Sequence, residues 1–411
     1  MPPVAAPGRP AHRDGNVLRW VAAYTASMLG DSVFFLALSW AAVRQGSPAE
    51  AGIVTAVSAV PRALLMLGGG VVVDRLGPRR VVIGSDAVRC AAVLTVAALL
   101  FATDPGLWLL ALLALVFGAV DALFMPAVGA LPARITAKDQ LARVQGMRGL
   151  AVRLSSVVGA PLGGLGVALG GAAAAFALAG VLIAVSVPLL VSVRMRELPP
   201  DDRATAEGGT AWRDLRDGLR YVRRHRVLGP LMLVIALGDL GFVGPLNIGL
   251  TLLADERGWG ASGMGWVLAG FGVGAGTAAL LLTVRGRVPH AGYVVAGALV
   301  PGAVAIGALA QAPVLPVAVG TALLIGLLAG LSGALCGALL QTQSAPALLG
   351  RVTAVSGIVS LGIAPLSMPL SAAAIGVWGT GPVFAASAAV CGLGGVVALC
   401  APGVRRAELP K

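Results

Sequence analysis

The sequence predicts an all-α membrane protein with twelve transmembrane helices in two parallel six-helix halves. Three observations carry that prediction. Of 411 residues, 57% are hydrophobic and only 12% are charged, with a mean hydropathy of +0.90. A soluble domain carries about 25% charged residues, so half the usual solvating surface is missing. Apolar runs of about 20 residues, the length that crosses a hydrocarbon core, recur along the whole chain. Sequence elements also repeat at a spacing of 208 positions.

The runs fall at 18–43, 51–73, 81–103, 107–131, 150–169, 172–193, 228–253, 262–283, 292–312, 314–339, 355–376 and 380–401. Trp20, Trp40, Trp108, Trp259 and Trp378 stand near run ends, where amphipathic rings prefer the interface. The first run is too long for a signal peptide and lacks a small-residue cleavage site, so it is expected to remain as a span. These runs divide the chain into a tail (1–17), a first half (18–193), a linker (194–227), a second half (228–401) and a second tail (402–411).

The net charge of +12 suggests nucleic acid until the basic residues are placed. Arg75/Arg79/Arg80, Arg134/Lys138/Arg143/Arg148 and the arginines from Arg194 to Arg226 follow alternate runs. The connections between them hold Arg44 in one and Arg257 in another. This positive-inside alternation sets both termini in the cytoplasm of a multi-pass plasma-membrane protein. The arginines then serve topology and contact with anionic lipids, and no nucleic-acid partner is expected.

Leu29-Gly30-Asp31 reappears as Leu237-Gly238-Asp239, and Leu141-Ala142-Arg143-Val144 as Leu349-Gly350-Arg351-Val352. Gly149 matches Gly357 at the same offset. Six spans return the chain to the side it left, so the two copies run parallel about an axis along the membrane normal. In the linker, Trp212, Leu215, Leu219 and Val222 share one face of an amphipathic interfacial helix.

Enzyme chemistry finds no foothold. There is no GxxxxGK[ST] loop, no nucleophile–base set and no metal-ligand spacing, so no ATPase, cofactor or metal is expected. Cys90, Cys336, Cys391 and Cys400 lie in apolar runs without a CxxC and read as small packing residues. His12, His225 and His290 read as solvated.

Four ionisable residues fall inside the runs near mid-depth: Asp31, Arg62, Asp121 and Asp239. A charge there costs roughly 3 kcal/mol or more, so each should face water or a partner. One reading is a structural ion pair, such as Arg62 with Asp31, that fixes helix packing. The other, which we favour, is handling of an ion or substrate: an Asp in a cavity opened to alternate sides changes protonation, the elementary step of proton coupling. Asp86 and Arg89, close to Asp74 and Arg75, read as a charge-relay latch more than a binding site.

The loop after the second run reads Gly70-Val-Val-Val-Asp74-Arg75-Leu-Gly77-Pro78-Arg79-Arg80. It resembles the GxxxDRxGRR signature of the major facilitator superfamily, at the place where that family carries it. The fifth run holds Gly159-Ala160-Pro161-Leu162-Gly163-Gly164, which is similar to the GPxxGG antiporter motif with the proline one place late. Gly30-Asp31, Gly46-Ser47-Pro48, Ser85-Asp86-Ala-Val-Arg89, Phe124-Met-Pro126-Ala and Gly350-Arg351-Val352 are similar to the macrolide-efflux and drug:proton antiporter branch. The resemblance implies the major facilitator fold, with Gly70, Asp74, Arg75, Gly77, Arg79, Arg80, Asp86 and Arg89 as a gating group. It also implies export of a small amphipathic molecule, a drug, antibiotic or secondary metabolite, by proton antiport with alternating access.

Two departures limit the transfer. Pro78 stands where the signature has a basic residue, and the fourth run has Asp121 as its only charge, without the arginine of many drug:proton antiporters. Asp31 and Arg62 therefore become the expected proton-coupling residues, with Asp121 and Asp239 behind them. Lys138 and Lys411 are the only lysines, a composition that resembles a high-GC bacterium. An importer or siderophore exporter on the same fold, and a non-transporting sensor or scaffold, stand as alternatives. A monomer is the expected state.

Overall fold

A computed structural model of the chain describes residues 13–103, 106–136, 140–195, 211–285, 290–345 and 348–408. Every regular element among them is helical. The first half comprises α1 (Gly15–Gln45), α2 (Pro48–Val57), α3 (Ala59–Leu76), α4 (Pro78–Ala102), α5 (Leu107–Ile135) and α6 (Leu141–Ser192). The connecting helix α7 (Ala211–Arg224) leads to α8 (Leu228–Gly244), α9 (Leu250–Glu256), α10 (Gly260–Arg285), α11 (Ala291–Leu309), α12 (Leu315–Gln343), α13 (Leu349–Trp378), α14 (Thr380–Cys400) and α15 (Pro402–Arg405). Among the described residues, nine helices are long and apolar enough to cross a membrane. Leu169, Val284 and Val377 point outward more than 70% exposed, as side chains facing lipid rather than water would.

Local chemistry sets the breaks. Asp14 accepts from the Asn16 N–H at 2.8 Å and starts α1. Ser47 and Glu50 form a reciprocal capping box at the start of α2. The long α6 turns back on itself at Gly170 and Gly171, where Gly171 takes φ +70°. A Cβ built on Gly166 would lie 3.1 Å from Ala175 Cα, possible only if the two arms form a hairpin. Pro245, lacking an N–H, opens a wide π-turn over Pro245–Gly249 between α8 and α9. His225, expected to be solvated, instead caps α8: its Nδ1 accepts from the N–H groups of Val227 and Leu228 at 3.2 Å each.

The connecting helix α7 bears on the second half. Val222 is buried with Leu228 and Val352, and a Cβ on Gly218 would lie 3.0 Å from the Arg351 carbonyl oxygen. Leu219 stays exposed. The side chains of Trp212 and Leu215 lie outside the described residues.

The packing separates the two ends of the bundle. At the end that carries the termini, one core is built only from residues 17–195 and another only from residues 222–407. At the opposite end the cores cross between halves. Phe34 and Leu38 share one with Ile248, Ala372 and Val383, and Leu36 and Ala160 share another with Leu253 and Met264. Among the described residues, the halves thus share buried cores at the far end and none at the end bearing the termini.

Candidate functional site

Three helices of the first half, α1, α4 and α6, bring five polar side chains into an apolar interior. Asp86 and Arg89, three apart on α4, face the same way. Arg89 Nη1 donates to Asp31 Oδ1 at 2.9 Å and Oδ2 at 3.0 Å. Its Nη2 donates to Ser27 Oγ at 3.0 Å and to Asp86 Oδ1. Ser27, four residues before Asp31 on α1, donates to Asp86 Oδ1 at 3.1 Å, and Ser186 donates to Asp86 Oδ2. The guanidinium lies 4.0 Å from the centre of the Phe124 ring and 5.4 Å from that of Phe117. Arg89 and Asp86 are completely buried.

A second pair stands beside this cluster. Arg62 Nε on α3 lies 3.1 Å from Asp121 Oδ2 on α5. Asp121 is within electrostatic reach of both Asp31 and Arg89. Arg62 and Asp121 line a cavity of about 440 Å³ between the halves, walled by Ser39, Phe117, Asn247 and Phe271.

These contacts change two pairings expected from sequence. Arg62 does not pair with Asp31: α3 packs against α5, so its guanidinium meets Asp121, and Asp31 is held by Arg89. Nor do Asp86 and Arg89 form a latch at the helix end. They stand eight and eleven residues beyond the first residue of α4, about 12 and 17 Å along it at 1.5 Å per residue, which carries them into the Asp31 cluster.

The remaining signature residues lie near the end that carries the termini. Gly77 takes φ +83°, the left-handed geometry that lets α3 turn directly into α4. Arg79 donates to the Val191 carbonyl oxygen at 2.5 Å, while Arg75 and Arg80 are exposed. Gly70 and Asp74 lie on α3, but their surroundings and side chains fall outside the described residues.

The glycine motif of α6 forms a joint. Gly159 meets Ser32, and a Cβ on Gly163 would lie 3.3 Å from Val33 Cα, so both let α6 close on α1. A Cβ on Gly164 would lie 2.6 Å from the Ala261 carbonyl oxygen, across the seam on α10 of the other half. Gly265 returns the contact against Ala160 and Pro161. Farther toward the sealed end, the hydroxyls of Ser39 and Thr251 lie 2.6 Å apart, and Arg44 pairs with Asp255 at 3.4 Å.

Asp239 on α8, the repeat partner of Asp31, stands apart from the cluster. Its carboxylate accepts from Ser360 Oγ at 2.6 Å. Sequence reasoning missed the serines. Ser27 carried a signal, its i,i+4 spacing to Asp31; Ser186 and Ser360 carried none.

Helical halves that close on one another at one end around a polar interior define a multi-pass membrane transporter. Residues 20–360 match the family model described as Major Facilitator Superfamily, and the chain belongs to that superfamily; as a member it is a transporter and not an enzyme. It is 28% identical to a multidrug efflux pump Tap from Mycolicibacterium fortuitum, covering 94% of this chain and 96% of the relative. It is 26% identical to an enterobactin exporter EntS from Shigella boydii over 70% of this chain and 67% of that one. Among solved structures, a variant of the nucleoside transporter NupG shares the fold with a TM-score of 0.72, at 12% identity over 94% of this chain and 100% of that chain.

Proposed function

We propose that the chain is a twelve-span secondary transporter of the bacterial plasma membrane, exporting a small amphipathic molecule in exchange for protons. The arginine-rich connections and both termini lie in the cytoplasm. The sealed end then faces outward, and the molecule is poised to load from inside. The division of the chain at 193/194 and 227/228 follows from this arrangement.

The observation that carries the coupling is a charge count. Asp31, Asp86 and Asp121 stand against Arg62 and Arg89, three carboxylates to two guanidiniums. One proton neutralises the group. Asp86 accepts from Arg89, Ser27 and Ser186, whereas Asp31, among the described residues, accepts from Arg89 alone. Asp31 is therefore the carboxylate that takes the proton, and Arg89 is then released to Asp86. The Arg62–Asp121 pair, bordering the cavity between halves, senses that change through its electrostatic contact with Arg89. Alternating exposure of the cavity lets Asp31 load from the acidic side and discharge on the other.

Relatives named as a multidrug efflux pump and an enterobactin exporter support outward transport. Export of a siderophore is the second reading, favoured by the latter relative. A net negative cluster beside the cavity favours neutral or cationic cargo instead.

Proteoliposomes loaded at low internal pH and placed in a lipophilic dye at neutral pH test the reading. Dye should accumulate inside as protons leave, and an uncoupler should collapse the accumulation. Accumulation indifferent to the pH difference would exclude proton antiport.

A further inference from the structure

The second half encloses a cavity of its own, about 540 Å³, lined wholly by residues between Val234 and Cys391. That volume suits a small organic molecule, for which sites run roughly 300–1,000 Å³. It lies among α8, α11, α12, α13 and α14 and reaches outward at Gln341 and Thr353, both exposed. Asp239 stands in its wall, half-buried. Its carboxylate has the Ser360 hydroxyl and, among the described residues, no basic side chain. A carboxylate at this depth without a cation is costly.

The duplication identifies what is missing. At the offset of 208, Asp31 corresponds to Asp239, Phe117 to Ile325 and Phe124 to Ser332, and all three second-half residues line this cavity. In the first half the corresponding side chains surround the Arg89 guanidinium, held by Asp31 beneath the two rings. In the second half both rings have shrunk. The counterpart of α4 is α11, and it carries no charged residue from Ala291 to Leu309. The carboxylate and the space are present, and the cation is not.

We propose that this cavity binds an organic monocation with N–H donors, a protonated amine or guanidinium on an apolar body. Its head takes against Asp239 the place that Arg89 takes against Asp31. The hydroxyls of Ser332, Ser356 and Ser360 accept its remaining N–H groups, and Phe242, Leu299 and Ile306 hold its body. The site is separate from the cavity between the halves, whose walls come from both. It deepens the export reading by naming the class of cargo, and it rests on that reading for its physiological use.

The test is equilibrium binding to the purified full-length protein in detergent. The probes are a dansyl-alkylguanidinium and its uncharged alkylamide counterpart. The wild type should prefer the cation, and Asp239→Asn should cost the cation about tenfold, or about 1.4 kcal/mol, while leaving the neutral probe unchanged. Ser332→Phe, which restores the first half's ring, should weaken both probes and serves as a second variant on a different helix. A wild type without preference for the cation, or an Asp239→Asn protein that binds it fully, would overturn the proposal, as would undiminished binding in Ser332→Phe. Binding needs no gradient and no turnover. A protein that holds the cation through Asp239 but moves nothing would therefore refute export and leave this site standing. Gradient-driven export of the cation undisturbed by Asp239→Asn would refute this site alone.

Discussion

Replacing Gly164 by alanine adds a methyl group inside the seam between the halves. Its Cβ would lie 2.6 Å from the Ala261 carbonyl oxygen and 2.9 Å from Ser262 Cα, both backbone atoms of α10 that no rotamer change can move. Carbon contacts settle near 3.5 Å, so α6 and α10 must part by about 0.6–0.9 Å. Overpacking of this kind costs roughly 1–3 kcal/mol. The cost falls only on the arrangement in which the halves touch here. It therefore shifts the balance toward the unsealed far end by about 5- to 150-fold. The assay is labelling of Asn247→Cys, at the wall of the cavity between halves, in a background with Cys90, Cys336, Cys391 and Cys400 replaced. An impermeant maleimide added to whole cells should label the Gly164→Ala protein at least about fivefold faster. Equal rates would refute the seam as the outer gate. Gly265→Ala, whose Cβ would meet the Ala160 carbonyl oxygen at 2.6 Å, should act in the same direction.

Arg89→Met should destabilise the folded protein by about 3–5 kcal/mol, because it leaves the Asp31 and Asp86 carboxylates buried without their cation. A thermal unfolding midpoint in detergent matching the wild type would contradict the cluster. If the signature loop biases interconversion, as its resemblance implies, Asp74→Asn should slow turnover while leaving substrate affinity intact; weakened binding at an unchanged rate would reverse that assignment. Cysteines placed at Gly46 and Asp255 should be labelled from outside the cell, and those at Arg203 and Arg405 should not. Labelling at position 203 would invert the topology.

The all-helical, membrane-spanning class was legible because it depends on composition and period, which a linear sequence displays. Asp31 illustrates where legibility stops. Arg62 and Arg89 both lie within sixty residues of it, and nothing in their spacing says which helix packs beside α1. The choice is made by packing: α3 lies on α5, so Arg62 goes to Asp121. The depth of Arg89 was in principle readable, since eleven residues of helix past Pro78 carry it about 17 Å along α4. Its likeness to the neighbouring loop charges obscured this. The glycine motif was visible as close packing, but its two faces, Gly163 on α1 and Gly164 on the other half, depend on tertiary contacts. The cavity around Asp239 was not legible, because its walls are set by how the helices of the second half pack.

Whether a proton bound at Asp31 drives transport can be read directly from one measurement. Asp31→Asn protein reconstituted in proteoliposomes is assayed twice with the same substrate, once for exchange without a gradient and once for accumulation after a pH jump. The side chain keeps its shape and loses its charge, so exchange should persist and gradient-driven accumulation should disappear. Full accumulation after the pH jump would contradict it and pass the coupling to Asp121 or Asp239.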